Sequence, residues 1–381
     1  MTEYVYIIDE TQLSNKGTLS PKRKSGNKGP RAKAASSTST DQTKIQPPAV
    51  ITPRPRVTAD LAQPIGRLPL CFSLEEVETW LTDGQAAFKT KAHRAYERRK
   101  LTHETRCRID TLLNEAGATS VFTISNDRLT LKAWDLLRNQ LIGFASADPE
   151  LEFALITFIC GKGGTSLDRP DIELRLSQER VKRTLRAMAP NWFGMTELGF
   201  FNSITHPTGG RHLQRHEHAL IWGPSAIAQA KTVALRHEHF YQPNITDARR
   251  IDVTPVHDKT DLNLARLSAY LLKSPAKAMN WVPPRDGKPG FMNHSEEGDR
   301  YMRFLRLGLI RTMIEFEDLV FSGGQGQTIE SVIVKSMRAL AAADAQGKAE
   351  FHPDAIAAFC VEFAKELKVS RWTLPIIRRR A

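Results

Sequence analysis

Two histidines separated by one residue, His216 and His218, are the pair in this sequence best suited to hold a metal ion. Their segment, RHEHALIWGP, has the apolar character of a β-strand and is stopped by Gly223-Pro224. Because side chains at positions i and i+2 of a strand share one face, the two imidazoles would point the same way. Seven of the eleven histidines lie between positions 206 and 257, and such a cluster favours a metal site. The pair taken alone is more typical of two surface histidines on an edge strand.

A third ligand is needed, and Glu197 in the preceding apolar segment FGMTELGFF is the first candidate. A hairpin between this segment and the histidine strand would bring the carboxylate beside the imidazoles. Two imidazoles and one carboxylate leave open positions on a divalent ion for a phosphate oxygen. Other histidines of the cluster are alternative third ligands: His206, His212 and His257.

A second RHEH segment, at 236–239, ends a predicted helix. Positions i and i+2 of a helix diverge by about 200°, so His237 and His239 would not grip one ion. We expect both of them to be solvated.

Tyr270 is the candidate nucleophile, in the segment LARLSAYLLKSPAKAM. The apolar spacing predicts a helix that Asp261 or Asn263 caps and that runs to about 279. Lys273 and Lys277 follow Tyr270 at i+3 and i+7, so a helix would place all three on one face. A tyrosine hydroxyl has an ordinary pKa of about 10 and needs a nearby cation to act as a nucleophile. The alternative is a core tyrosine on an amphipathic helix with lysines that reach to solvent.

These features occur in a definite order. An apolar strand, FALITF, is followed by the strand with Glu197, the His-x-His strand, the strand IDVTPV and a helix that carries YLLK. This order, over residues 150–280, resembles the HUH endonuclease superfamily, and most closely its single-tyrosine replication initiators of plasmids and phages.

The resemblance implies a metal centre. His216 and His218 match the histidine pair of the family, which binds Mg²⁺ or Mn²⁺ together with a polar third residue, here Glu197. The middle residue of the family motif is usually apolar, whereas here it is Glu217. On a strand, Glu217 should point to the opposite face, which would leave the metal site intact.

The resemblance also implies a covalent mechanism. Tyr270 matches the nucleophile that attacks a DNA phosphodiester and leaves a 5′-phosphotyrosine link with a free 3′-hydroxyl. Lys273 matches the lysine that commonly follows the tyrosine. Lys277 is a second candidate to offset the developing negative charge.

The element pattern predicts an α+β fold, with an antiparallel sheet of about five strands, flanking helices, and helical segments at both ends. We divide the chain into four parts: a disordered basic N-terminal arm (1–66), a helical N-terminal subdomain (67–148), a nuclease domain (149–285) and a helical C-terminal region (286–381). Residues 16–56 of the arm hold ten Lys and Arg against one acid, so we expect the arm to bind DNA non-specifically.

We therefore expect metal-dependent nicking and joining of single-stranded DNA, which would initiate rolling-circle replication of a plasmid or phage. The expected partner is single-stranded or hairpin DNA at an origin. A host helicase is a further candidate partner, since the chain has no GxxxxGK[ST] motif of its own. A transposase or relaxase would share the chemistry. A non-catalytic nucleic-acid-binding protein and a histidine-rich structural metal protein are the alternatives outside this class.

The cysteine pattern and the apolar runs bear on location. The four cysteines form no CxxC pair, and no apolar run approaches the 18 residues of a membrane span. The acidic opening MTEYVYIIDE does not resemble a secretory signal. We expect a cytoplasmic protein without a membrane segment.

Overall fold

A computed structural model describes residues 68–378, with gaps at 98, 100, 112–126, 203–211, 242–249, 274–277, 283–290, 296–300, 345–352 and 370–371. The segment Arg67–Ala381 is one compact unit. The predicted arm at 1–66 lies outside the described residues. No helix within the described ranges is long and apolar enough to cross a membrane.

The first elements are three helices: α1 (Leu74–Glu97), α2 (His103–Asp110) and α3 (Asp127–Ala147). Glu76 lies in the first turn of α1, where its backbone N–H donates to the Ser73 side chain at 3.1 Å. This is one half of the capping box that Ser73 and Glu76 suggest in the sequence. Phe72, just before this cap, is 74% exposed, whereas Val77 in the next turn is buried.

The central elements alternate between strands and helices. They are β1 (Glu152–Ser166), β2 (Asp171–Glu173), α4 (Arg175–Met188), β3 (Asn191–Asn202), β4 (His212–Gly223), α5 (Ala226–His237), β5 (Ile251–Val256) and α6 (Asp261–Leu272). A short 3₁₀ helix, Glu238–Phe240, follows α5.

The remaining elements are β6 (Ala278–Val282), β7 (Phe291–Ser295), α7 (Tyr301–Arg311), α8 (Phe316–Leu319), β8 (Val320–Gly323), α9 (Gly326–Asp344), α10 (Pro353–Glu366) and β9 (Ile376–Arg378). The sequence predicts helical structure over 296–321. Within it, α7 and α8 are helical, but 312–315 lie between them and β8 begins at Val320, so the prediction was wrong at these two places.

The sheet has seven strands within the described residues, in the order β5-β1-β4-β3-β6-β7, and β8 also pairs with β3. Five of them, β5, β1, β4, β3 and β8, pair antiparallel, which confirms the predicted α+β fold with an antiparallel sheet of about five strands. The hairpin of β6 and β7 was not anticipated, and β6 joins the far end of β3 in parallel orientation.

Helices cover both faces of the sheet. On one face, the even-numbered apolar residues of β1 pack with Ile221 of β4 against apolar side chains of α4 and α5. On the other face, Trp222 of β4 stacks on Phe144 of α3 at a centroid distance of 5.5 Å. The Trp134 indole of α3 donates to the Ala265 carbonyl of α6 at 3.0 Å, which ties these two helices together. Since β1 is buried on both faces, its apolar residues do not need to alternate with polar ones.

Helices from the two ends of the chain join the second layer. The first helix, α1, packs against α7 and α6, and α3 packs against α6 and α9. Helix α6, which carries Tyr270, therefore lies between the sheet and the N-terminal helices α1 and α3.

Candidate active site

Glu197 and His216 are direct neighbours across the β3–β4 pair. His218 lies two residues further along β4 and shares the face of His216, as the strand alternation predicts. One ligand atom from each of the three side chains lies within 4.8 Å of the others. The predicted third ligand and the histidine pair are thus brought together at one point of the sheet.

His218 is buried and has a partner at each ring nitrogen. Its Nδ1 lies 3.0 Å from the Thr157 hydroxyl of β1, and its Nε2 lies 2.8 Å from Glu197 Oε2. The Thr157 contact was not anticipated. Its signal was present in the sequence, since Thr157 is the one polar residue in FALITF and the sheet aligns it with His218.

Lys273 connects the carboxylate to the candidate nucleophile. Its ammonium lies 2.7 Å from Glu197 Oε2 and 3.7 Å from the centroid of the Tyr270 ring. The Tyr270 ring also lies edge-on to His218, with centroids 5.2 Å apart. Tyr270, on α6, therefore lies beside the Glu-His-His group.

Tyr270 belongs to α6, whereas Glu197 comes from β3 and the two histidines come from β4. The site is therefore assembled from three elements, and Tyr270 contacts it through His218 and Lys273.

The end of α6 differs from the prediction. Thr260 caps the helix, since its side chain accepts from the Asn263 backbone N–H, and the helix ends at Leu272 rather than near 279. Lys273 is the C-cap residue with an extended backbone, so it reaches Glu197 from beyond the helix. The shared helical face of Tyr270, Lys273 and Lys277 was therefore wrong. Lys277 itself lies outside the described residues.

The charges of the site depend on one another. Burial opposes ionisation of Glu197, but the Lys273 ammonium and the His218 hydrogen bond outweigh it and hold its pKa well below the ordinary value. Burial lowers the pKa of His216 to about 4, although the nearby Glu197 carboxylate acts in the opposite direction. Burial also disfavours the charged form of Lys273, but Glu197 and Tyr270 raise its pKa above the ordinary value.

The donor set fits a divalent metal ion. A metal-binding histidine must be neutral, and His216 stays neutral at pH 7 because its pKa is about 4. The contact of His218 Nδ1 with Thr157 leaves Nε2 facing the group, as in metal sites whose histidines are oriented through the second nitrogen. Glu197 is ionised and can offer a carboxylate oxygen. A metal ion would have to share that oxygen with the Lys273 ammonium or displace it.

The other histidines of the cluster are not in this group. Within the described residues, Glu197, His216 and His218 are the only set of three or more His, Cys, Asp or Glu side chains close enough together to hold one metal ion. Neither His212 nor His257 belongs to such a set. The remaining alternative, His206, lies outside the described residues.

The second histidine pair also lies apart from the site. His239 is exposed, as predicted, whereas His237 is partly buried and contacts the Thr184 hydroxyl at 3.2 Å. The expectation that both would be solvated was therefore wrong for His237.

Glu217, between the two histidines, points to the opposite face of the sheet, as predicted. It is buried, lies 2.7 Å from the Arg215 guanidinium and accepts a hydrogen bond from the Ser177 hydroxyl. Its charge is thus compensated beneath the sheet, away from the candidate metal ligands.

Comparisons with models of protein families, with curated proteins and with solved structures find no match to this chain.

Proposed function

We propose that this protein is a metal-dependent nickase of the HUH endonuclease type, which cuts and rejoins single-stranded DNA through a covalent tyrosine intermediate. The observation that carries the proposal is the position of Tyr270, whose ring lies 5.2 Å from that of His218 beside the Glu-His-His group. If Tyr270 were a core tyrosine with lysines that reach to solvent, the Lys273 ammonium would not lie over its ring and against Glu197. Initiation of rolling-circle replication is the role we propose within this class.

The proposed reaction is an in-line displacement at phosphorus. The Tyr270 oxygen attacks the scissile phosphate, a bond forms between that oxygen and phosphorus, and the bond from phosphorus to the 3′ oxygen breaks. The proton of the phenol is balanced by the proton that the leaving 3′ oxygen takes up. The products are a 5′-phosphotyrosine link and a free 3′-hydroxyl, and the reverse reaction rejoins the strand without ATP.

Lys273 is suited to assist this step. Its ammonium contacts both Tyr270 and Glu197, so it can stabilise the phenolate as the proton leaves. His216, His218 and Glu197 would hold Mg²⁺ or Mn²⁺. When bound, such an ion supplies a Lewis acid that polarises the scissile phosphate and orients it.

The test is a covalent-adduct assay. Purified protein is incubated with Mn²⁺ and a pool of 5′- and 3′-labelled single-stranded oligonucleotides, and the products are separated on a denaturing gel. We expect label from the 3′ side of the cut to stay on the protein, and we expect this adduct to disappear with EDTA and in Tyr270→Phe.

Controls separate the nickase from a DNA-binding protein. Tyr301→Phe is the matched tyrosine variant, because Tyr301 lies on α7 and contacts Arg94, and it should form the adduct normally. An adduct that persists in Tyr270→Phe would exclude Tyr270 as the nucleophile. If DNA binding is retained but no adduct forms across a pool that covers hairpin and linear strands, the non-catalytic alternative is favoured.

A further inference from the structure

The helix α4 presents a row of arginines on the face of the sheet opposite to the candidate active site. Arg175, Arg183 and Arg186 are exposed, and Arg180 is partly exposed. The buried side of the same helix, with Val181, Leu185 and Met188, packs against the core beneath the sheet. Since His216 and His218 occupy the other face of β4, this row is separate from the candidate active site.

The neighbouring acids are already engaged. Glu179 of α4 lies 3.5 Å from the ammonium of Lys182, and Glu238 accepts from the Arg250 backbone N–H at 3.2 Å. Among the described residues, no acid forms an ion pair with the four arginines of α4. Within the described parts of the chain, the row is therefore positive charge without an acidic partner in contact.

Helix α5 extends this charged area. His237 at its end contacts Thr184 of α4 at 3.2 Å, and Gln229 donates to the Ala187 carbonyl at 2.8 Å, so the two helices lie side by side. Arg236 is exposed and lies seven residues after Gln229, on the same side of α5. We call the combined area the reverse surface; it consists of Arg175, Arg180, Arg183, Arg186 and Arg236.

We infer that the reverse surface binds the phosphate backbone of duplex DNA. Between Arg175 and Arg186 the helix rises about 16 Å, and duplex DNA presents about ten phosphates over that length. Arginine is well suited to phosphate because its planar guanidinium donates two parallel hydrogen bonds. Such contacts position a protein on DNA without specifying its sequence.

Duplex DNA fits better than a single strand. Proteins that bind single strands combine positive charge with aromatic rings on which the bases stack. Helix α4 carries no aromatic side chain, and the exposed rings nearby, Phe240 and His239, belong to the 3₁₀ helix after α5. The arginines of α4 thus offer phosphate contacts with no aromatic ring among them, which suits a duplex, whose bases are already stacked on one another. This inference is independent of the proposed nicking activity.

The experiment compares two charge-matched double variants of the full chain. Arg183→Gln with Arg186→Gln removes two charges from the reverse surface. Lys335→Gln with Lys365→Gln removes two exposed charges from α9 and α10. Binding to a labelled duplex of unrelated sequence is measured by fluorescence anisotropy between 50 and 200 mM NaCl (roughly the range in which phosphate contacts dominate). Circular dichroism confirms that both variants fold.

We expect the arginine variant to bind duplex more weakly and to flatten the slope of log K against log salt by about 1.8, which is about 0.9 for each lost phosphate contact. The lysine variant should keep the wild-type slope. An unchanged slope in the arginine variant, or an equal change in both variants, overturns the inference. A change for single-stranded DNA with none for duplex also overturns it. Failure of the adduct assay would leave this measurement unaffected, so the two proposals fail independently.

Discussion

At the scale of single residues, the orientation of His218 depends on Thr157. If Nδ1 carries the proton and donates it to the Thr157 oxygen, Nε2 keeps its lone pair for a metal ion. Glu197, on the other side of the ring, is near enough to share that ion. Thr157 therefore acts on the candidate metal through His218.

Thr157→Val should weaken Mn²⁺ binding by about 10-fold to 100-fold, the usual effect of losing such a partner of a metal-binding histidine. Valine has nearly the shape of threonine, so the strand should keep its packing. The measurement is a titration of Mn²⁺ by electron paramagnetic resonance, and Thr157→Ser is the control that keeps the hydroxyl. Equal Mn²⁺ affinity in wild type and Thr157→Val would show that Thr157 does not orient the ligand.

The low pKa of His216 makes the metal-free protein sensitive to acid. The folded protein resists protonation of His216 until about pH 4, whereas the unfolded chain takes up the proton near pH 6.5. Since the unfolded state binds the proton first, the free energy of unfolding falls as pH drops through this window. The full shift corresponds to about 3–4 kcal/mol at most, because one pKa unit is about 1.4 kcal/mol.

We therefore expect urea unfolding in EDTA to show less loss of stability between pH 6.5 and 4.5 for His216→Gln than for wild type. Glu197 contributes in a different range, because a lowered pKa adds stability that is lost only as pH falls below its ordinary value of 4.5. Parallel pH profiles for the two proteins would contradict the assignment of the acid sensitivity to His216.

Most of the site could be predicted from residue spacing. Alternation along a strand places His216 and His218 on one face, and the hairpin places Glu197 opposite them. The reach of Lys273 could not be predicted in this way, because it depends on an extended backbone after the end of α6. Helical spacing put Lys273 beside Tyr270, which was correct, but for the wrong reason.

At the scale of elements, the strands that carry the site were predicted because their apolar residues are continuous and rich in β-branched types. The end of α6 was missed although the sequence contains a signal for it. Pro275 disfavours helical conformation at position 274, so the apolar spacing beyond it could not continue the helix. Strand β8 was missed because it has only four residues, between two helices, and these are too few to show the alternation of apolar and polar residues that is typical of a strand.

Strand β8 supports the site from the edge of β3. Gly194 of β3 is the neighbour of Phe321 in β8, and it pairs with Ala219 next to His218 in β4. A methyl group on Gly194 would lie 2.3 Å from the Phe321 ring and 2.9 Å from the His218 carbonyl oxygen. Because Gly194 has no side chain, the Phe321 ring of β8 can lie against the backbone of β3.

Gly194→Ala should destabilise the protein by about 1–3 kcal/mol, as overpacking of a dense core does. Gly143→Ala is the matched control, since Gly143 is exposed on α3 and a methyl group there meets nothing within 4 Å. This control should instead stabilise the protein by about 0.5–1 kcal/mol, because alanine favours a helix. Chemical denaturation measures both, and a neutral Gly194→Ala would show that β8 is not packed closely on β3.

At the scale of the whole molecule, the two faces of one sheet carry different groups. The face covered by α3 and α6 holds Tyr270 and the Glu-His-His group. The other face is covered by α4 and α5, and the outer side of these two helices carries the reverse surface. Apolar side chains fill the space between the sheet and the helices on both faces. The candidate metal ligands are thus attached to a sheet that is already packed on both sides.

This packing predicts that removal of metal costs activity before it costs the fold. A ligand at 100 times its dissociation constant stabilises a protein by about 2.7 kcal/mol, which for a chain of this size is a shift in Tm of less than about 10 °C. We expect EDTA to lower Tm within that limit, to leave a cooperative thermal transition by circular dichroism, and to abolish the tyrosine adduct. A structural metal protein behaves in the opposite way, because its metal-binding energy is part of its folding energy. Loss of the cooperative transition in EDTA, with refolding when Zn²⁺ or Mn²⁺ returns, would therefore assign Glu197, His216 and His218 to the stability of the fold instead of to the chemistry of Tyr270.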